Sequence, residues 1–153
     1  MKKRIIALGL LWCLSAVMLQ AARVDTVLVR SAAMNKDVKV VYVLPDKAIG
    51  KQACPVVYLL HGYGGNARSW VQLKPELPQM ADEKESYLYV RTARTVGIGD
   101  SPENPAYRYE TFVTSELVKY TDGNYATIPD RKARAISGLS MGGHGALWSA
   151  SPS

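Results

Sequence analysis

The chain has 153 residues, of which 48% are hydrophobic, 21% charged and 8% aromatic. This composition is typical of one globular domain and excludes a disordered or fibrous protein. The formal charge is +6 at pH 7, but Lys2, Lys3 and Arg4 at the N-terminus contribute half of it. The remaining positive residues form no run, so we expect no nucleic-acid partner.

Residues 1–21 have the order of a secretory signal peptide. The positive residues are followed by an apolar run over 5–19 and then by the small residues Ala21 and Ala22. This run is shorter than the roughly 18 residues that a membrane span needs. We therefore predict a cleaved signal at 1–21, a domain at 22–153, a secreted or periplasmic location and no stable membrane insertion. An uncleaved N-terminal anchor is the alternative.

Short strands and helices are predicted to alternate after the signal. β-branched or apolar runs predict strands at 24–30, 38–43, 55–60, 87–90 and 134–137. Residues 45–51 are predicted to form a turn. Asn66 can cap a helix that begins near Ala67 and ends where Pro75 and Pro78 break the pattern. Further helices are predicted from Tyr109 to an end near 122–124, and over 145–150. The alternation predicts an α/β protein with a mostly parallel sheet that helices cover on both faces.

A nucleophile motif follows the last predicted strand. Residues 138–142 read Gly-Leu-Ser-Met-Gly and match G-x-S-x-G, in which a sharp strand-to-helix turn exposes a serine hydroxyl. Gly138 and Gly142 are expected because a side chain would clash in so tight a turn. The strand before the motif and the helix after it are the context that the motif requires. Ser140 is therefore the candidate nucleophile.

A glycine-rich loop follows the earlier buried strand. Residues 61–65 read His-Gly-Tyr-Gly-Gly, at the place where hydrolases of this architecture supply a backbone N–H to an oxyanion. The second donor would be the N–H of Met141, directly after the serine. We expect His61 to orient this loop and His144 to pack in the first turn of the helix, and neither to act as the general base.

These motifs resemble the putative-esterase family of α/β-hydrolases, which includes tributyrin, feruloyl and acetyl-xylan esterases, S-formylglutathione hydrolases and mycolyltransferases. Residues 58–66, 100–102 with 107–112, and 128–147 carry the resemblance, which extends over most of 22–153. It implies an α/β-hydrolase fold, a Ser140 nucleophile and an oxyanion hole formed by the N–H groups of Tyr63 and Met141, with His61 and Gly62 shaping the loop. Tyr107, Arg108 and Tyr109 either line a substrate cleft or pack in the core.

The chain departs from the family after the nucleophile. The triad order in α/β-hydrolases is Ser, then Asp or Glu, then His, and no Asp or Glu follows Ser140. We interpret the chain as C-terminally truncated, with the later strands and the triad acid and histidine absent. One edge of the sheet would then be unpaired.

Residues 91–99 also depart from the family pattern, which has a Trp-rich peptide before Asp100-Ser101-Pro102. A plausible back-translation of residues 90–101 reads Pro-Asp-Gly-Lys-Asn-Ser-Trp-Tyr-Trp in another frame. We hypothesise compensating frameshifts around this segment and a shifted reading of residues 148–153. The nucleotide sequence tests this hypothesis directly.

Two functions remain open at this stage. The first is a secreted serine carboxylic-ester hydrolase that acts through an acyl-enzyme on Ser140, with glycan-linked or small-molecule esters as substrates. The alternative is a catalytically inactive remnant or a non-catalytic carbohydrate- or ester-binding module. Within 22–153, Cys54 is the one cysteine and His61 and His144 are the histidines, so we expect no internal disulfide, no metal and no cofactor.

Overall fold

A computed structural model describes residues 22–84, 87–91 and 99–150. The predicted signal peptide at 1–21 and most of the atypical segment 91–99 lie outside these residues. Both interpretations therefore remain predictions.

The described strands form one five-stranded sheet in the order β1-β2-β4-β3-β5. The strands are β1 Arg23–Ser31, β2 Lys36–Leu44, β3 Val56–Leu60, β4 Tyr87–Arg91 and β5 Arg134–Gly138. β1 pairs with β2 and β2 with β4 in antiparallel fashion, whereas β3 pairs with β4 and β5 in parallel. Within the described residues, β5 lies at the edge of the sheet.

The helices fall mainly between the parallel strands. They are α1 Asp46–Ile49, α2 Ser69–Leu73, α3 Leu77–Lys84, α4 Tyr109–Thr111, a π-helical segment Phe112–Glu116, α5 Leu117–Asn124 and α6 Met141–Ala150. Single 3₁₀ turns occupy Pro105–Tyr107 and Arg131–Ala133. None of these described helices is long and apolar enough to cross a membrane.

Both faces of the sheet are covered, because successive residues of a strand point to opposite sides. Tyr42 of β2 packs on one face in a core that includes Phe112 and Leu117. The adjacent Val43 packs on the other face with Leu77 of α3. The predicted α/β class, with helices on both faces of the sheet, is therefore confirmed.

Three local predictions differ from the structure. The turn predicted at 45–51 contains the short helix α1, and the helix expected from Ala67 begins at Ser69. Pro78 lies in the first turn of α3, where its missing N–H breaks no helical hydrogen bond. Two of the four strand pairs in the described sheet are also antiparallel. The first of these follows from the four-residue turn at 32–35, which returns the chain directly alongside β1.

Candidate active site

Ser140 lies in the short turn between β5 and α6, just beyond the carboxyl end of a parallel strand. Its φ is +54°, a left-handed conformation that costs a residue with a side chain about 1–2 kcal/mol. Surrounding hydrogen bonds hold the turn in place. Leu139 N donates to Leu60 O at 3.0 Å, and His144 N donates to Ser140 O at 3.1 Å. Ser140 is exposed, as a nucleophile elbow requires.

The glycines on either side of the serine have a steric cause. A Cβ on Gly138 would lie 2.2 Å from the carbonyl carbon and oxygen of Gly142, and a Cβ on Gly142 would lie 2.3 Å from Leu60 O. These are backbone atoms, so the clash cannot be relieved by a rotamer change. The G-x-S-x-G spacing thus follows from the close approach of α6 to the ends of β5 and β3.

The glycine-rich loop after β3 lies against this turn. A Cβ on Gly62 would be 3.2 Å from Leu139 O and 3.5 Å from Ser140 Cβ. Gly65 N donates to Gly62 O at 3.1 Å and closes the loop, and Gly64 has a φ of +73°. The loop backbone that leads into Tyr63 is therefore brought next to the candidate nucleophile.

Two segments with backbone N–H groups lie next to Ser140 in the structure. One belongs to the loop at Gly62 and Tyr63. The other belongs to the first turn of α6, where Met141 is the first residue and where N–H groups have no partner within the helix. Gly142 N already donates to Leu139 O at 2.9 Å. A helix N-terminus and an adjacent loop form an arrangement suited to negative charge on a substrate oxygen.

The two histidines differ in environment. His61 is 5% exposed, and its Nδ1 lies 2.7 Å from Gly62 O, which ties the ring to the loop that it was expected to orient. His144 is exposed, so the prediction that it packs in the first turn of α6 is wrong. The cause is that the buried side of this helix is formed by its small residues, Gly142, Gly145 and Ala146.

The tyrosines near residue 108 belong to the core rather than to a cleft. Tyr109 is 6% exposed, and Tyr107 packs against the same cluster. Lys36 Nζ lies 4.7 Å from the ring centroid of Tyr109 and 5.4 Å from that of Tyr107, and it donates to Ala106 O at 2.6 Å. For Tyr107 and Tyr109 the structure supports packing, whereas Arg108 is exposed.

Three side chains of α2 contribute to the site, although the sequence analysis did not identify them as site residues. Ser69, Trp70 and Leu73 line a cavity of about 140 Å³ together with the glycine-rich loop and Leu139. The sequence identified them only as helix formers. Their position in the first helix after the glycine-rich loop was the one sequence feature that could have indicated a role in the site.

No group of three or more His, Cys, Asp or Glu side chains suited to a metal ion occurs within residues 22–84, 87–91 and 99–150. Cys54 is 2% exposed and forms no disulfide. It occupies the core beside β3, where a small apolar side chain fits.

Comparison with known proteins identifies the family. The model of the family described as Putative esterase matches residues 31–153. An acetyl esterase of Caldicellulosiruptor saccharolyticus is 26% identical over 125 residues, which cover 76% of this chain and 46% of the relative. An endo-1,4-beta-xylanase/feruloyl esterase of Xylanibacter ruminicola is 38% identical over 103 residues, which cover 61% of this chain and 14% of that protein.

Solved structures show the same fold. A ferulic acid esterase superposes with a TM-score of 0.71 at 29% identity, over 82% of this chain and 53% of the other. An S-formylglutathione hydrolase from Agrobacterium tumefaciens gives a TM-score of 0.73 at 23% identity, over 85% and 53%. The chain thus spans about half the length of these structures and of the matched acetyl esterase. Its fold is that of the α/β-hydrolase esterases, and the chain belongs to the putative-esterase family.

Proposed function

We propose that this protein is a serine carboxylic-ester hydrolase in which Ser140 is the nucleophile. The observation that carries the proposal is the backbone of Ser140. An exposed serine with a φ of +54° lies between a strand end and a helix N-terminus. Close backbone contacts leave no room for a Cβ at the flanking Gly138 and Gly142. Strain of this kind persists where the surrounding structure over-determines it, and it clusters at active sites.

The reaction follows from the groups that meet at this turn. Ser140 Oγ attacks the ester carbonyl carbon and loses its proton to a general base, and the carbonyl electrons move to the oxygen. The N–H groups of Tyr63 and Met141 donate to that oxyanion. Collapse expels the alcohol, which takes up the proton, and leaves an acyl group on Ser140. Water then releases the acid by the same steps. Such chemistry needs no cofactor.

The proposed reaction requires a general base and an acid partner beside Ser140. The triad order of this fold places both after the nucleophile, and the matched relatives extend well beyond the region that this chain covers. His61 is buried against its own loop and serves the loop rather than proton transfer.

We infer that the substrates are acyl esters of extracellular glycans or small esters. Relatives described as acetyl esterase and feruloyl esterase support this class, and the signal-like residues 1–21 support action outside the cytoplasm. Glycan esters present an acyl group on a polar carrier, which an exposed nucleophile turn can reach.

Reaction of the complete gene product with a fluorophosphonate tests the assignment. Ser140 Oγ displaces fluoride from phosphorus, and mass spectrometry should locate one phosphonyl adduct on Ser140. The adduct should be absent in Ser140→Ala and retained in Ser137→Ala, an exposed serine on the adjacent strand. A folded protein that labels elsewhere or not at all, and does not hydrolyse p-nitrophenyl acetate, would instead be the non-catalytic remnant or binding module.

A further inference from the structure

A cavity of about 140 Å³ adjoins the candidate nucleophile on the side of the glycine-rich loop. Gly62 and Tyr63 form one wall, Trp70 and Leu73 of α2 form another, and Leu139 closes it. Gly62 and Leu139 also touch the serine turn, since a Cβ on Gly62 would lie 3.5 Å from Ser140 Cβ. Gly62 and Leu139 therefore belong both to the cavity lining and to the immediate surroundings of Ser140.

Three polar side-chain atoms of the residues that line this cavity hydrogen-bond to backbone groups of the protein. Trp70 Nε1 donates to Leu60 O at 3.1 Å, and Ser69 Oγ accepts from Asn66 N at 2.7 Å. His61 Nδ1 is engaged with Gly62 O. What the walls offer to an occupant is therefore mainly apolar surface.

The mouth of the cavity exposes large apolar side chains. Tyr63 is 75% exposed, Leu73 61% and Leu139 48%. Burying such side chains against an apolar group would remove their surface from water and is favourable by the hydrophobic effect. Three of them around one opening next to a serine indicate an apolar group bound beside the reacting atom.

We propose that this cavity binds the apolar substituent of the ester whose carbonyl is attacked by Ser140. The proposal rests on the proposed function and adds an approximate size of the bound group to it. An apolar protein cavity of about 150 Å³ holds a benzene molecule, so this cavity has room for about six carbon atoms. Leu73, which belongs to α2 and not to the nucleophile turn, is a specificity-determining residue.

The first experiment needs no reaction at Ser140. In the 153-residue chain carrying Trp12→Phe and Trp148→Phe, Trp70 is the one tryptophan that remains, and its fluorescence is titrated with benzyl alcohol and with methanol. Benzyl alcohol should give a saturable change, and methanol should not. Leu73→Asp should weaken the benzyl alcohol affinity about tenfold, because it places a charge at an apolar mouth.

Leu147→Asp is the matched control, since Leu147 is a 72% exposed leucine on α6 outside the cavity lining. It should leave the affinity unchanged. No saturable change, or equal weakening by Leu73→Asp and Leu147→Asp, overturns the proposal.

The second experiment locates the occupant on the ester. Phosphonofluoridates with a P-alkyl group, which stands for the acyl chain, or an O-alkyl group, which stands for the alcohol, are lengthened from methyl to butyl. Labelling of Ser140 in the complete gene product should accelerate about tenfold in one series, and Leu73→Asp should remove that gain. Labelling that is independent of length in both series overturns the cavity assignment and leaves Ser140 as nucleophile. Absence of labelling refutes the nucleophile, while the fluorescence titration still decides whether the cavity binds an apolar group.

Discussion

Replacing Gly142 by alanine adds one methyl group where α6 meets the end of β3. The new Cβ would lie 2.3 Å from Leu60 O and 2.6 Å from His61 O. Leu60 O cannot retreat easily, because it accepts hydrogen bonds from Leu139 N at 3.0 Å and from Trp70 Nε1 at 3.1 Å. The strand end and the helix must therefore separate.

The required separation is about 1 Å, since carbon makes its best non-bonded contacts near 3.5 Å. Moving α6 by this amount strains two hydrogen bonds and opens gaps in a close-packed core. We expect a loss of about 3–5 kcal/mol in the free energy of unfolding, at the upper end for an overpacking change. That is a large part of the roughly 5–15 kcal/mol that stabilises a typical domain.

Urea unfolding of Gly142→Ala and of two control glycine variants measures this effect. Gly64 has open space around it but a φ of +73°, so Gly64→Ala should cost about 1 kcal/mol from backbone strain alone. Gly123 lies near the end of α5 with nothing within 4 Å, so Gly123→Ala should gain about 0.5 kcal/mol from helix propensity.

The three variants share one chemical change and differ in surroundings. If Gly142→Ala unfolded at the same urea concentration as Gly64→Ala, the contact between α6 and Leu60 would not hold in solution. The steric account of the G-x-S-x-G spacing would then be wrong.

Three further predictions concern the oxyanion donors, an ion pair and a buried phenol. Tyr63→Ala should lower kcat of the complete gene product only modestly, because it keeps the backbone N–H. Tyr63→Pro removes that donor and should lower kcat about 10²–10³-fold. Equal effects of the two variants on kcat in steady-state assays would refute a backbone role. Asp122 accepts hydrogen bonds from Arg134 and from the Thr127 hydroxyl in a partly buried site. Asp122→Ala should therefore lower the free energy of unfolding in urea by about 3 kcal/mol. Asp25→Ala, which removes an exposed ion pair, should lower it by about 0.5 kcal/mol or less. Burial raises the pKa of Tyr58 to about 12 from 10.0. The unfolded chain then loses this proton first, so stability should fall as pH rises from about 10 to about 12. Urea unfolding of Tyr58→Phe across that range should show a shallower decline, and an unchanged decline would refute the assignment.

Local sequence pattern was sufficient for the strands and for the geometry of the serine turn. The β-branched runs at β1 and β2 and the apolar run at β3 favour strands because of their short length and their residue content. The spacing of Gly138, Ser140 and Gly142 specifies a tight turn because only glycine tolerates backbone contact at both flanks. These features depend on near neighbours in the chain, so they can be read without coordinates.

Three features depended on the tertiary structure: the packing of Tyr109, the exposure of His144 and the cavity beside Ser140. Tyr109 is buried in a core cluster that includes residues far away in sequence, such as Val40 and Tyr42. The exposure of His144 depends on which side of α6 faces the sheet. The cavity beside Ser140 arises only where α2, the glycine-rich loop and Leu139 converge. Sequence periodicity marks which side of an element is apolar, but it carries no information on which distant element covers that side, because that choice is made by packing of the whole sheet.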